Sequence, residues 1–175
     1  RRDNPSNDRY EIDIEDVIPA ARFAYEQGYG SMVIQGGERH DKKFRDKITS
    51  ILKEVRKISS ESPLGITLSL GEQPFDVYQE WFEAGAHRYL LRIESSTQEL
   101  FEKIHPVDES HSFQTRLTAL KDLRRAGYQV GTGVMIGLPF QTLEHLADDL
   151  LFFKNFDIDM CGMGPYLEHS QTPLY

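Results

Sequence analysis

From residue 31 onward the chain alternates short runs rich in β-branched and apolar residues with longer stretches whose apolar residues recur at helical spacing. That alternation admits few folds. A strand, a covering helix and another strand form the βα unit, and a succession of such units builds a parallel sheet with helices packed against it. Strands are expected at 31–35, 66–70, 88–93, 129–136 and 159–164.

Between the strands, Phe44, Ile48, Ile51, Leu52, Val55 and Ile58 fall on one helical face, as do Leu117, Leu120 and Leu123 ahead of Gly127. Pro74 suits the first turn of a helix running to Ala84, and Ser96 with Glu99 reads as a capping box. Thr142 starts a helix that carries Leu146 and Leu150 toward the sheet. Ahead of the first strand, Ile14, Val17, Ile18, Ala21 and Tyr25 form another apolar stripe, which Pro19 is expected to kink or shorten.

A helix first and a strand last point to an α/β fold: a partial (β/α) barrel of the TIM type, with parallel strands. Its N-terminal strand is expected to be missing ahead of Arg1, and residues 1–175 to form one domain of a longer protein.

Twenty Lys and Arg stand against 28 Asp and Glu, a formal charge of -8, and the few basic pairs are diluted by acids, so no nucleic-acid partner is expected. The longest apolar runs are strand-sized, which gives no membrane span. Cys161 is the single cysteine, so the chain supplies neither a disulfide framework nor a metal cage, and a reducing compartment follows.

In parallel α/β folds the ligand lies at the carboxyl ends of the strands. The first strand ends in Gln35-Gly36-Gly37-Glu38, where backbone lacking a Cβ can approach a ligand, although a tight turn would use the same residues. Thr67 and Ser69 alternate with leucines and so share a face, as do Arg92 and Glu94 at the end of the third strand, where a structural ion pair is the plainer reading. Arg116, early in a helix, is suited to a bidentate grip on a carboxylate, or else is a solvated helix arginine. Met160 opens the last strand. His40, His105, His111, His145 and His169 show no metal-ligand spacing and read as mostly surface residues, so no metal set is expected.

Taken together, Arg1-Arg2-Asp3-Asn4, the Gly36-Gly37-Glu38 turn, the string from Thr67 to Glu72, the string from Tyr89 to Glu94 and Gly164-Pro165-Tyr166 resemble the radical S-adenosylmethionine (SAM) maturases of the HydE type. Nearly the whole chain takes part. The resemblance implies a cytoplasmic radical SAM enzyme that reductively cleaves SAM to a 5′-deoxyadenosyl radical and serves the maturation of FeFe-hydrogenase. It implies SAM and a 4Fe-4S cluster as cofactors, the cluster cysteines being expected upstream of Arg1. Gly36, Gly37, Glu38, Ser69, Glu94 and Arg116 would bind SAM, and Thr67, Arg92 and Met160 would face the substrate. A small-molecule or organometallic substrate, a reductant protein and other hydrogenase maturases are the partners it implies.

The loop from Val107 to His111 is longer than its HydE-type counterpart, which bears on the placement of Arg116. A sister radical SAM enzyme, such as a methylornithine synthase or a biotin synthase-like protein, would share this SAM-binding frame. A cluster-free (β/α) barrel lyase or isomerase would need a Schiff-base lysine or a phosphate loop at the strand ends, and every lysine here falls in or beside a helix. A non-catalytic scaffold is the remaining alternative.

Overall fold

The computed structural model describes residues 8–58, 63–105, 111–172 and 174. The string at 1–4, the loop residues 107–110 and Pro173 lie outside them.

The elements are α1 (Ile14–Glu26), β1 (Ser31–Gln35), α2 (Lys42–Arg56), β2 (Gly65–Ser69), α3 (Phe75–Glu83), β3 (Arg88–Leu90), α4 (Gln98–Ile104), α5 (Phe113–Arg125), β4 (Gln129–Ile136), α6 (Leu143–Phe156) and β5 (Met160–Pro165). All five strands are parallel and lie side by side in chain order. Consecutive order with helical crossovers is the arrangement of successive strands in a (β/α) barrel.

The expected strands appear with shifted ends. β3 stops at Leu90 because the ladder changes partner there: Thr132 Oγ1 accepts from the Ile93 N–H at 2.9 Å and donates to the Leu91 carbonyl at 2.8 Å. Pairing resumes at a single bridge between Glu94 and Val134.

The α2 stripe buries Phe44, Ile48, Ile51, Leu52 and Val55, and the helix opens where the Asp41 carboxylate accepts from the Phe44 N–H at 3.0 Å. α1 runs through Pro19 without ending, because Ala21 is fully buried and Ile14, Val17, Ile18 and Ala24 pack on the core around it. Trp81, Tyr78, Tyr89 and Tyr128 fill the centre. Tyr89 meets Tyr78 and Tyr128 edge-on with centroids 5.1 and 5.6 Å away.

Two helix expectations are corrected. Ser96 does not cap α4, whose N-cap is Thr97 without a side-chain bond; the Ser96 N–H and hydroxyl both donate to Asp149 Oδ1 at 2.7 Å. Thr142 does cap α6, with His145 closing the box, but Leu150 points outward, 56% exposed, while Asp149 is fully buried. The two Ser96 donors hold Asp149 inside, which leaves Leu150 facing out while Leu146 stays half-buried. Among the described residues no helix is long and apolar enough to cross a membrane.

Candidate functional site

The carboxyl ends of β1, β2 and β3 converge on one polar patch. Just past β1, the Gly36 N–H donates to the Ser69 carbonyl at 3.2 Å, which ties the glycine turn to the end of β2. Neither Gly36 nor Gly37 has a positive φ, so a strained turn does not account for them. A Cβ on Gly37 would meet nothing within 4 Å, leaving its backbone open to an approaching group.

Beyond β3, Arg92 and Glu94 face each other at 3.6 Å, too far for a hydrogen bond. Arg92 Nε and Glu94 Oε2 are both buried atoms without a hydrogen-bond partner. Glu94 also holds a φ of 65°, unusual outside glycine and kept where surrounding structure imposes it. Burial pushes its carboxyl above the usual carboxylate range, with Arg92 and Arg116 pulling the other way. Two buried polar atoms without partners, one of them on a strained residue, make these strand ends a candidate site for a polar ligand.

Arg116 is buried, not solvated. Its Nε donates to Glu72 Oε1 at 2.6 Å, its Nη1 to the Arg92 carbonyl at 2.5 Å, and its Nη2 lies 3.3 Å from His105 Nε2. α5 delivers it there because Ser112 caps the helix by accepting from the Thr115 N–H at 3.0 Å, fixing the first turn. Glu72, absent from the expected site, is thus the arginine's resident partner. Burial raises its carboxyl, Arg116 lowers it, and the neighbouring Glu38 raises it again.

Glu38 turns toward this pair and away from the glycine backbone. Its Oε1 lies 3.1 Å from His40 Nε2 and 3.4 Å from His111 Nε2. The expectation of surface histidines therefore fails for His111, drawn in beside Glu38, and for His105, stacked on Phe101 at 4.7 Å. No linear spacing announces either: His105 is the C-cap of α4, and His111 stands immediately before Ser112, the N-cap of α5.

Thr67 and Met160 stand apart from these contacts. Thr67 is buried within β2, in register with Val33 and Arg88. Met160 is paired with Gly131, over which its side chain lies. A recess of about 340 Å³ lies at the opposite, amino ends of the strands, bordered by Arg56, Phe82, His87, Arg88 and Gln129; in such folds that end serves stability, and the polar patch lies at the other.

The family model described as the radical SAM superfamily matches residues 1–153. The chain is 44% identical over 175 residues to the [FeFe] hydrogenase maturase subunit HydE of Thermotoga maritima, covering 99% of this chain and 48% of that protein. It is 27% identical over 164 residues to a biotin synthase of Picosynechococcus sp., covering 91% and 43%. The chain thus spans about half the length, or less, of these curated relatives. Among solved structures, methylornithine synthase (PylB) superposes with a TM-score of 0.75 at 22% identity, over 97% of this chain and 48% of that one. The FeFe-hydrogenase maturase HydG from Carboxydothermus hydrogenoformans superposes with a TM-score of 0.78 at 20% identity, over 100% and 42%. These likenesses show the radical SAM barrel fold.

Proposed function

The chain belongs to the radical SAM superfamily, whose members use SAM and a 4Fe-4S cluster, and we propose that it is the SAM-binding part of a HydE-type maturase barrel acting in FeFe-hydrogenase maturation. The 44% identity to HydE across nearly the whole chain favours that reading over a biotin synthase or methylornithine synthase activity. A cytoplasmic setting, a reductant protein and companion maturases belong to the same proposal, as does a small-molecule or organometallic substrate.

The residues fit SAM. The observation that carries the fit is the buried carboxylate atom Glu94 Oε2, left without a hydrogen-bond partner at the strand ends. SAM, when bound, supplies a sulphonium whose one-electron cleavage gives methionine and a 5′-deoxyadenosyl radical. Since the Gly36 N–H is taken by Ser69, the carbonyls of the Gly36-Gly37 turn are the groups that accept from the methionyl ammonium. Ser69 and Glu94 take polar atoms of the same molecule. Arg116, pre-oriented by Glu72 and the Arg92 carbonyl, faces its carboxylate. Arg92, with Thr67 and Met160 on neighbouring strands, serves the substrate side, where a guanidinium suits an anionic group.

The cluster does not fit these residues. Cys161, exposed on β5, is the only cysteine, and a cubane needs several thiolates.

The test uses a protein that joins this chain to a CxxxCxxC loop, reconstituted anaerobically with iron and sulphide and supplied with SAM and dithionite. 5′-Deoxyadenosine should form, and its formation should stop when the loop cysteines are replaced. A reconstituted cluster that yields no 5′-deoxyadenosine refutes the assignment.

A further inference from the structure

We propose that Glu38, Glu72 and His111 form a binding site for one divalent first-row transition-metal ion, separate from the iron-sulphur cluster and independent of the SAM reading. The three residues come from the turn after β1, the loop after β2 and the lead-in to α5. One ligand atom from each lies within 4.8 Å of the others, close enough for small side-chain shifts to gather all three at the bond length of about 2.1 Å that one ion needs.

Glu72 supplies the strongest reason. Its side chain is 5% exposed, and Arg116 occupies Oε1 at 2.6 Å, while Oε2 is buried with no hydrogen-bond partner. A buried carboxylate oxygen facing a second carboxylate is costly unless a cation or a donor meets it. The guanidinium on the other oxygen is the kind of outer contact that orients a ligating carboxylate.

The loop is built to hold this geometry. Gly71 has a φ of 77°, and a Cβ there would lie 2.5–2.7 Å from atoms of the Glu38 side chain. Only glycine lets Glu38 cross to Glu72. The Gly71 carbonyl accepts from the Tyr89 hydroxyl at 2.8 Å and from the Tyr78 hydroxyl at 3.4 Å. The Gln73 N–H donates to Tyr78 Oη at 2.9 Å, and its side-chain amide donates to the Arg39 and Leu70 carbonyls. Glu72 is pinned from both sides.

Two carboxylates and one imidazole, without a thiolate, suit borderline ions such as Zn²⁺, Co²⁺ or Fe²⁺. His111 ligates through a neutral Nε2, already 3.4 Å from Glu38 Oε1, and His40 stands on the same oxygen as a further donor.

Titration of the tag-free 175-residue chain with Co²⁺ at neutral pH, followed by visible absorbance, tests the site. One ion should bind per chain, Zn²⁺ should displace it and Mg²⁺ should not. His111→Ala and Glu38→Gln should each weaken Co²⁺ binding roughly tenfold or more with unchanged circular dichroism, and His169→Ala should leave it unaltered. Equal affinity in His111→Ala and the parent chain, or no stoichiometric Co²⁺ binding by the parent, overturns the proposal. Neither result depends on whether SAM binds.

Discussion

Arg116→Ala should destabilise the fold by about 3–5 kcal/mol at neutral pH, the usual cost of stripping one partner from a buried ion pair. The side chains of Arg116 and Glu72 are 8% and 5% exposed, so water cannot take over the lost contact. The variant leaves a buried carboxylate beside Glu38 and frees the Arg92 carbonyl of its donor. The loss should depend on pH, and its sign is fixed. Burial already raises the Glu72 carboxyl, and removing the guanidinium raises it further. A raised carboxyl keeps its contribution below the unfolded value of about 4.3 and loses it as pH climbs through the folded value, so the damage grows from acid to neutral pH. Urea unfolding at several pH values measures it. Pairing the change with Glu72→Gln should recover much of the loss, because no buried charge then remains alone. A penalty that is flat with pH would show that packing, not the ion pair, holds Arg116.

The second large effect belongs to Gly133→Ala. A Cβ at Gly133 would lie 1.9 Å from the Gly162 carbonyl oxygen and 2.9 Å from its carbon, in the register where β4 and β5 pair. Backbone cannot rotate out of the way as a side chain can, so the two strands must part. The cost should reach about 3 kcal/mol or more, the upper end for overpacking. Gly164→Ala on the same strand pair is the control: nothing lies within 4 Å of its Cβ, and it should be neutral within about 0.5 kcal/mol. Equal urea midpoints for the two variants would contradict the close approach.

The parallel architecture was legible in the sequence because apolar runs bounded by glycine and helices with one apolar stripe encode it locally. Phe44 to Val55 is an example, a face set by neighbours three and four residues apart. What escaped was decided by partners far along the chain. Asp149 is buried because Ser96, 53 residues earlier, donates to it twice, and no periodicity in α6 records that. β3 ends early because a threonine on β4 enters its ladder.

The site divides in the same way. Arg92 and Glu94 were readable as a pair because alternate strand residues share a face. The likeness to HydE-type maturases brought Gly36, Gly37, Ser69 and Arg116 into view as one group. Glu72 was not seen as the partner of Arg116, because the two are 44 residues apart and only the fold brings them together. His111 lies beside Glu38 for the same reason, since the two are far apart along the chain.

The most direct test of the central claim, that the carboxyl ends of these strands hold SAM, is equilibrium binding of SAM to the cluster-bearing protein and to its Ser69→Ala, Glu94→Gln double variant. Both substitutions spare the buried Arg116–Glu72 pair, so the fold should survive them. SAM affinity should fall roughly tenfold or more with the loss of a charge-assisted and a neutral hydrogen bond together. An unchanged affinity in a folded double variant would place SAM elsewhere and contradict that claim.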